Sequence, residues 1–250
     1  MAWDGDIGDE PPGALRDAPP DLRSPIDPRA PVGGHHPTEA TGPAIHELPE
    51  HDWSVASKQV VPVLRAPGGA GTRLAELGED RLAQEGLRTH ALPLLDDGPA
   101  AISIAYAIRA GGFDVLVNAD HLLEWGISPT DLRAAAFANL EAWSNGAGWT
   151  DDRDGGRRVL SSDTGEGGDA ARILLPEVRA HLQAQLGEGC RVLVGLPDRH
   201  LLMAVPCRVE DAEFVELFAS FVAGQAAGAD EAVEGRLFEL VDGELVPFEA

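Results

Sequence analysis

LPLLDDGPAAISIAYAIRAGGFDVLVN, residues 92–118, followed after a short gap by SPTDLRAAAFANLEAW, residues 128–143, is the stretch that decides the fold. The first piece holds three apolar or alternating runs, 92–95, 101–109 and 113–118, parted by Asp-Asp-Gly-Pro and by Gly-Gly. Such spacing predicts three antiparallel strands in a meander. In the second piece Ser128 is placed to cap a helix, Pro129 fits its first position, and Asp131 reaches back while facing the positive end of the dipole. Leu132, Ala136, Leu140 and Trp143 then fall on one face, which should pack on the sheet. Strands followed by a packing helix predict an α+β fold with a mixed, largely antiparallel sheet.

Toward the C-terminus the pattern continues without repeating sequence. Residues 146–156 read as a Gly/Asp-rich loop. Leu174, Leu175, Val178, Leu182 and Leu186 make a helical stripe, with Pro176 implying a late helix start or a kink. Residues 192–196 and 201–205 flank Pro197-Asp198-Arg199-His200 as a hairpin, and Phe214 to Val222 present a wide apolar face expected to be deeply packed. Asp242-Gly243 between two apolar runs is a two-residue hairpin turn. Two lobes, 57–150 and 156–250, are compatible with this order.

Toward the N-terminus, the β-branched run 59–64 predicts a strand that Pro62 places at a sheet edge or a bulge. Residues 72–87 suggest one or two short helices broken near Gly78. Residues 1–56 hold ten of the nineteen prolines and eleven acids against three arginines, which predicts a disordered acidic tail.

With 42 acidic and 19 basic residues the formal charge is −23. That balance disfavours nucleic acid and anionic membrane surfaces as partners. No run approaches the roughly 18 apolar residues of a spanning helix, and Met1 to Glu10 lack the basic and apolar regions of a secretory signal. A soluble, cytoplasmic protein is the expectation. Cys190 and Cys207, both in apolar runs, are expected as buried reduced thiols.

The pieces HLLEWGISPTDLRAAAFANLEAW, SSDTGEGGDAARILL, GLPDRHLLMAVP and RLFELVDGELVPF are similar in kind and order to the YtpQ-like family of uncharacterised bacterial proteins, over roughly residues 58–250. The resemblance implies architecture and carries no activity, cofactor or catalytic residue. The acidic Pro-rich tail and the loop 165–168 depart from it.

Candidate site residues are few. Asp163, Glu166 and Asp169 share a Gly-rich loop and could offer carboxylate oxygens to Mg or Ca; the simpler reading is a solvated loop with Asp169 capping the next helix. Asn139 lies on the inward side of an apolar helix, either locking it to a neighbouring backbone or lining a polar pocket. Arg199 is either a turn residue paired with a local carboxylate or an anchor for an acidic partner. The tail histidines 35, 36, 46 and 51 lack the surroundings that fix metal ligands, and Gly68 to Arg73 lack a P-loop ending, so they read as tail and flexible turn. No catalytic motif and no cofactor signature is present. The preferred function is therefore a binding or accessory module acting on another protein. A divalent-metal-dependent hydrolase using the acidic loop is the alternative.

Overall fold

In a computed structural model, residues 51–78, 81, 92–110 and 113–249 are described. The first sheet is built from β1 (Val60–Arg65), β2 (Thr72–Arg73), β3 (Leu94–Asp97), β4 (Ser103–Ala110) and β5 (Phe113–Leu116). Strand β4 is its centre: β1 pairs along one side, while β3 and β5 share the other side, one on each half. The three central strands are antiparallel as expected, but β3 and β5 lie end to end on one edge instead of flanking β4. Pro62 sits on the edge strand β1, where its missing N–H costs no ladder bond.

Period-two alternation sorts the side chains. Val60, Leu64, Ile104, Tyr106 and Ile108 enter the main core, whereas Val61, Val63, Ala105 and Ala107 form a cluster on the opposite face. Two capped helices follow. In α2 (Ala119–Trp125) Asn118 and His121 make reciprocal capping bonds, and in α3 (Pro129–Gly146) Ser128 and Asp131 do the same. Leu132, Ala136 and Leu140 are buried as the spacing predicts, and α3 packs on β1.

Residues 72–76 form β2 and a 3-10 turn, Leu74–Glu76, in place of the expected helix start. Parallel pairing of Thr72 with Leu94 captures the chain there, and Gly71 permits it: a Cβ would lie 2.4 Å from the Leu95 side chain. The rest of that expected helix, residues 79–80 and 82–87, lies outside the described residues. So does the tail through residue 50. The folded part begins before the expected boundary at 56, because α1 (Trp53–Ala56) buries Ala56 completely and sets Trp53 against Trp125 with ring centroids 5.2 Å apart.

The second sheet runs in the order β11-β10-β8-β9-β7-β6, all antiparallel. Its strands are β6 (Thr150–Asp154), β7 (Arg157–Ser162), β8 (Arg191–Gly195), β9 (Leu202–Cys207), β10 (Phe238–Val241) and β11 (Glu244–Pro247). The supposed loop 146–156 thus contains strand β6. Its turn, Gly155-Gly156, takes φ of 55° and 86°, as a tight hairpin requires. The Asp242-Gly243 hairpin has the same signature, with φ of 52° and 81°.

A 3-10 segment, Ala170–Leu174, is buried throughout and touches β1, α3, β9 and α4 (Pro176–Leu186). Through it one hydrophobic cluster runs from Val60 in the first sheet to Leu245 in the second. Residues 43–250 accordingly form one compact unit rather than separate lobes at 150/156. Among the described residues no helix is long and apolar enough to cross a membrane.

Among the described residues the outer face of the second sheet carries one helix, α5 (Ala212–Gly228), which buries Val215, Phe218 and Val222. Six strands span about 24 Å while a helix is about 10–12 Å across. One helix therefore cannot cover that face. The expected deep packing of the whole apolar stretch holds for one face of α5 only: Leu217 and Phe221, about 100° round the helix from Phe218 and Val222, are 57% and 45% exposed.

Candidate functional site

The acidic loop sends its three carboxylates to different places. Asp163 is exposed, Glu166 accepts from Trp143 Nε1 at 2.5 Å, and Asp169 is fully buried. Asp169 occupies the position before the 3-10 segment but makes no cap bond; its carboxylate turns back to Ser162 Oγ at 2.5 Å, Thr164 Oγ1 at 2.9 Å and Thr164 N at 3.1 Å. A β-strand end rich in hydroxyls outcompetes the one free N–H of a short turn. Ser162 Oγ also accepts from buried Arg172, which bonds in addition to Ser144 Oγ and to the carbonyls of Ser144, Ala147 and Gly148 at the end of α3. Among the described residues no three His, Cys, Asp or Glu side chains are grouped to hold a metal ion.

Asn139 is half-buried, and its Nδ2 donates to Ser57 O at 2.9 Å and Val60 O at 2.8 Å. This ties α3 to the start of β1, the first of the two roles open to it. Of the thiols, Cys207 is buried while Cys190 is only half-buried, and both are free.

Arg199 occupies a seam between the sheets. It donates to Asp114 Oδ2, to both oxygens of Glu231 at 3.1 and 3.2 Å, and to Gly167 O at 3.3 Å. Burial disfavours its charge, but Asp114 and Glu231 outweigh that and raise its pKa. These partners are not local: Asp114 comes from β5 and Glu231 from the segment after α5. Beside them a cleft of about 390 Å³ opens, walled by Val63 to Ala66, Gly69, Asp114, Leu116, Arg199 and residues 230–232.

Arg109, at the end of β4, was not singled out by sequence. It is the strand partner of Asp114 and lies 5.4 Å over the Trp143 ring, yet its buried Nε and Nη2 have no hydrogen-bond acceptor among the described residues. Burial lowers its pKa, with Asp114 opposing and Arg199 adding to the effect. Gly167 and Gly168 close over both arginines; a Cβ would meet Arg199 Nη2 at 2.9 Å and Arg109 Nη2 at 2.5 Å. Glycines in what reads as a solvated loop thus serve close approach.

A second concavity follows from the incomplete cover by α5. Hollows of about 280 and 450 Å³ share Val215, Glu216 and Phe248 and make one trough along α5, walled opposite it by Arg191 of β8, Cys207 of β9, residues 235–237 before β10 and Phe248 after β11. Ala219, Ala223 and Leu237 continue its apolar wall, Val209 stands 97% exposed at its mouth, and Arg191, Arg208 and Arg236 line the rim. Arg191 holds Glu239 and Arg236 holds Glu234, so these two are fixed in place.

Comparison of this chain with protein families, with curated proteins and with solved structures finds no match to any of them.

Proposed function

We propose that the protein is a binding module that docks an acidic segment of a partner protein, carrying apolar anchors, in the trough beside α5. The observation that carries this reading is that, among the described residues, one helix lies over a six-stranded face and leaves an apolar channel with an arginine rim. Apolar surface left open beside a helix favours a partner that buries it. On a chain of net charge −23, the rim favours an acidic occupant chiefly through Arg208, since Arg191 and Arg236 are already paired with Glu239 and Glu234. The same charge argues against polyanions as partners. Membership of the YtpQ-like group belongs to this proposal too, supported by the capped helix at Ser128 and the hairpin at Asp242-Gly243.

Selection from a library of acidic amphipathic peptides, followed by fluorescence anisotropy, tests the reading. Ala219→Arg, which fills the trough, should weaken the selected peptides at least about tenfold, as blocking an interface centre does. Leu217→Ala, on the other flank of α5, should leave them unchanged. Selected peptides indifferent to Ala219→Arg would overturn the reading. Sedimentation equilibrium showing a dimer abolished by Ala219→Arg would instead make the occupant a second copy of the chain.

A further inference from the structure

We propose that the cleft at the seam of the two sheets binds a small zwitterion of α-amino-acid size, its carboxylate on Arg199 and its ammonium group on Asp230 and Glu231. The cleft has a volume of about 390 Å³, with Val63 and Leu116 as apolar wall. Its charged walls are mixed: Arg65 and Arg199 against Asp114, Asp230 and Glu231. A simple anion would meet three carboxylates there, and a simple cation two guanidinium groups. A ligand carrying both charges close together satisfies both sets, and discrimination against singly charged compounds follows from the same repulsions.

Arg109 supplies an independent observation. Its buried Nε–H and Nη2–H form the edge that grips a carboxylate in a fork, and no described residue offers that edge an acceptor. Asp114 stands opposite Arg109 in the β4–β5 pairing but is drawn to Arg199. A ligand carboxylate on Arg199 releases Asp114 to turn to Arg109. Binding then gives an acceptor to two buried guanidinium N–H groups that have none among the described residues, which favours the bound state. The close seat of Gly167 and Gly168 on the two guanidinium groups holds them side by side for this exchange.

Titration calorimetry of the full chain with glycine, alanine and leucine, beside the matching carboxylates without the amine and amines without the carboxylate, decides the matter. One zwitterion per chain is expected, with singly charged analogues at least about tenfold weaker. Asp230 is exposed, so Asp230→Asn should fold normally and weaken binding about fivefold, the scale of one exposed ion pair. Arg199→Gln should abolish binding; should it fail to fold, Asp230→Asn carries the test. On saturation with alanine, the Arg109 side-chain N–H resonance should shift in the wild type. Equal binding of carboxylates alone, equal affinity of Asp230→Asn, or no heat with any of the three amino acids up to about 10 mM would each overturn the proposal.

Discussion

Two side chains show how single residues hold this fold through polar bonds. Asn139 gives both of its amide hydrogens to the carbonyls of Ser57 and Val60, at the junction of α1 and β1. Replacement by leucine strands both acceptors, so Asn139→Leu should cost about 1–3 kcal/mol in denaturant melts. A change under about 0.5 kcal/mol, the scale of an ordinary surface substitution, would refute this role. Asp96 illustrates a charged counterpart. It accepts from Tyr106 Oη at 2.5 Å and from Arg133 Nε and Nη2 at 2.5 Å each. Burial pushes its pKa up, but the hydrogen bonds from Arg133 and Tyr106 reverse that and leave it below 3.8. A carboxyl depressed on folding adds stability that is fully present above its unfolded pKa and is lost as pH falls through the folded one. Wild-type melts should therefore lose more stability than Asp96→Asn between about pH 7 and about pH 3. Equal losses would show that this carboxylate does not contribute to the acid limb.

Elements were legible wherever local chemistry and burial agree. The helix from Pro129 carries its cap, its first-turn proline and its apolar stripe within sixteen residues of sequence, and the structure places all three as read, with three further residues before the helix ends at Gly146. The same holds for the Asp242-Gly243 hairpin. Strand β6 was illegible because Thr150 to Asp154 are all exposed, so no apolar alternation marks them; the hairpin is held by its Gly-Gly turn and by Asp151 gripping Arg158. The stretch after Thr72 misled because two residues of parallel pairing leave no periodicity to detect. Site residues divide in the same way. Arg199 could be named from its turn, but Asp114, 85 residues away, and Glu231, 32 away, are brought to it only by the packing of two sheets. Arg109 ends an apolar strand and belongs to no motif, so only the missing acceptors around it in three dimensions mark it. The shortage of cover over the second sheet is likewise a property of strand count against helix count, which no single stretch of sequence displays.

At the scale of the whole molecule, one core joins both sheets through the buried segment Ala170–Leu174, so the halves should melt together. The same continuity fixes how much of the N-terminus the fold needs. Residues 43–250 form the compact unit, and within it α1 places Ala56 in the core at 0% exposure, stacks Trp53 against Trp125 and bonds His51 to Glu124 at 2.8 Å. A chain starting at residue 43 keeps every one of these contacts and should melt within about 1 °C of the full chain, since surface-scale changes move a domain of this size little. A chain starting at residue 58 loses Ala56, the Trp53 contact and the Ser57 carbonyl that Asn139 bonds, and should melt several degrees lower, on the order of 2–4 °C per kcal/mol lost. Differential scanning calorimetry of the three chains separates the cases. A shift on removing residues 1–42 would place stabilising contacts in that segment; no shift on removing residues 1–57 would mean that α1 lends the core nothing, and would return the boundary to 56, where composition alone had set it.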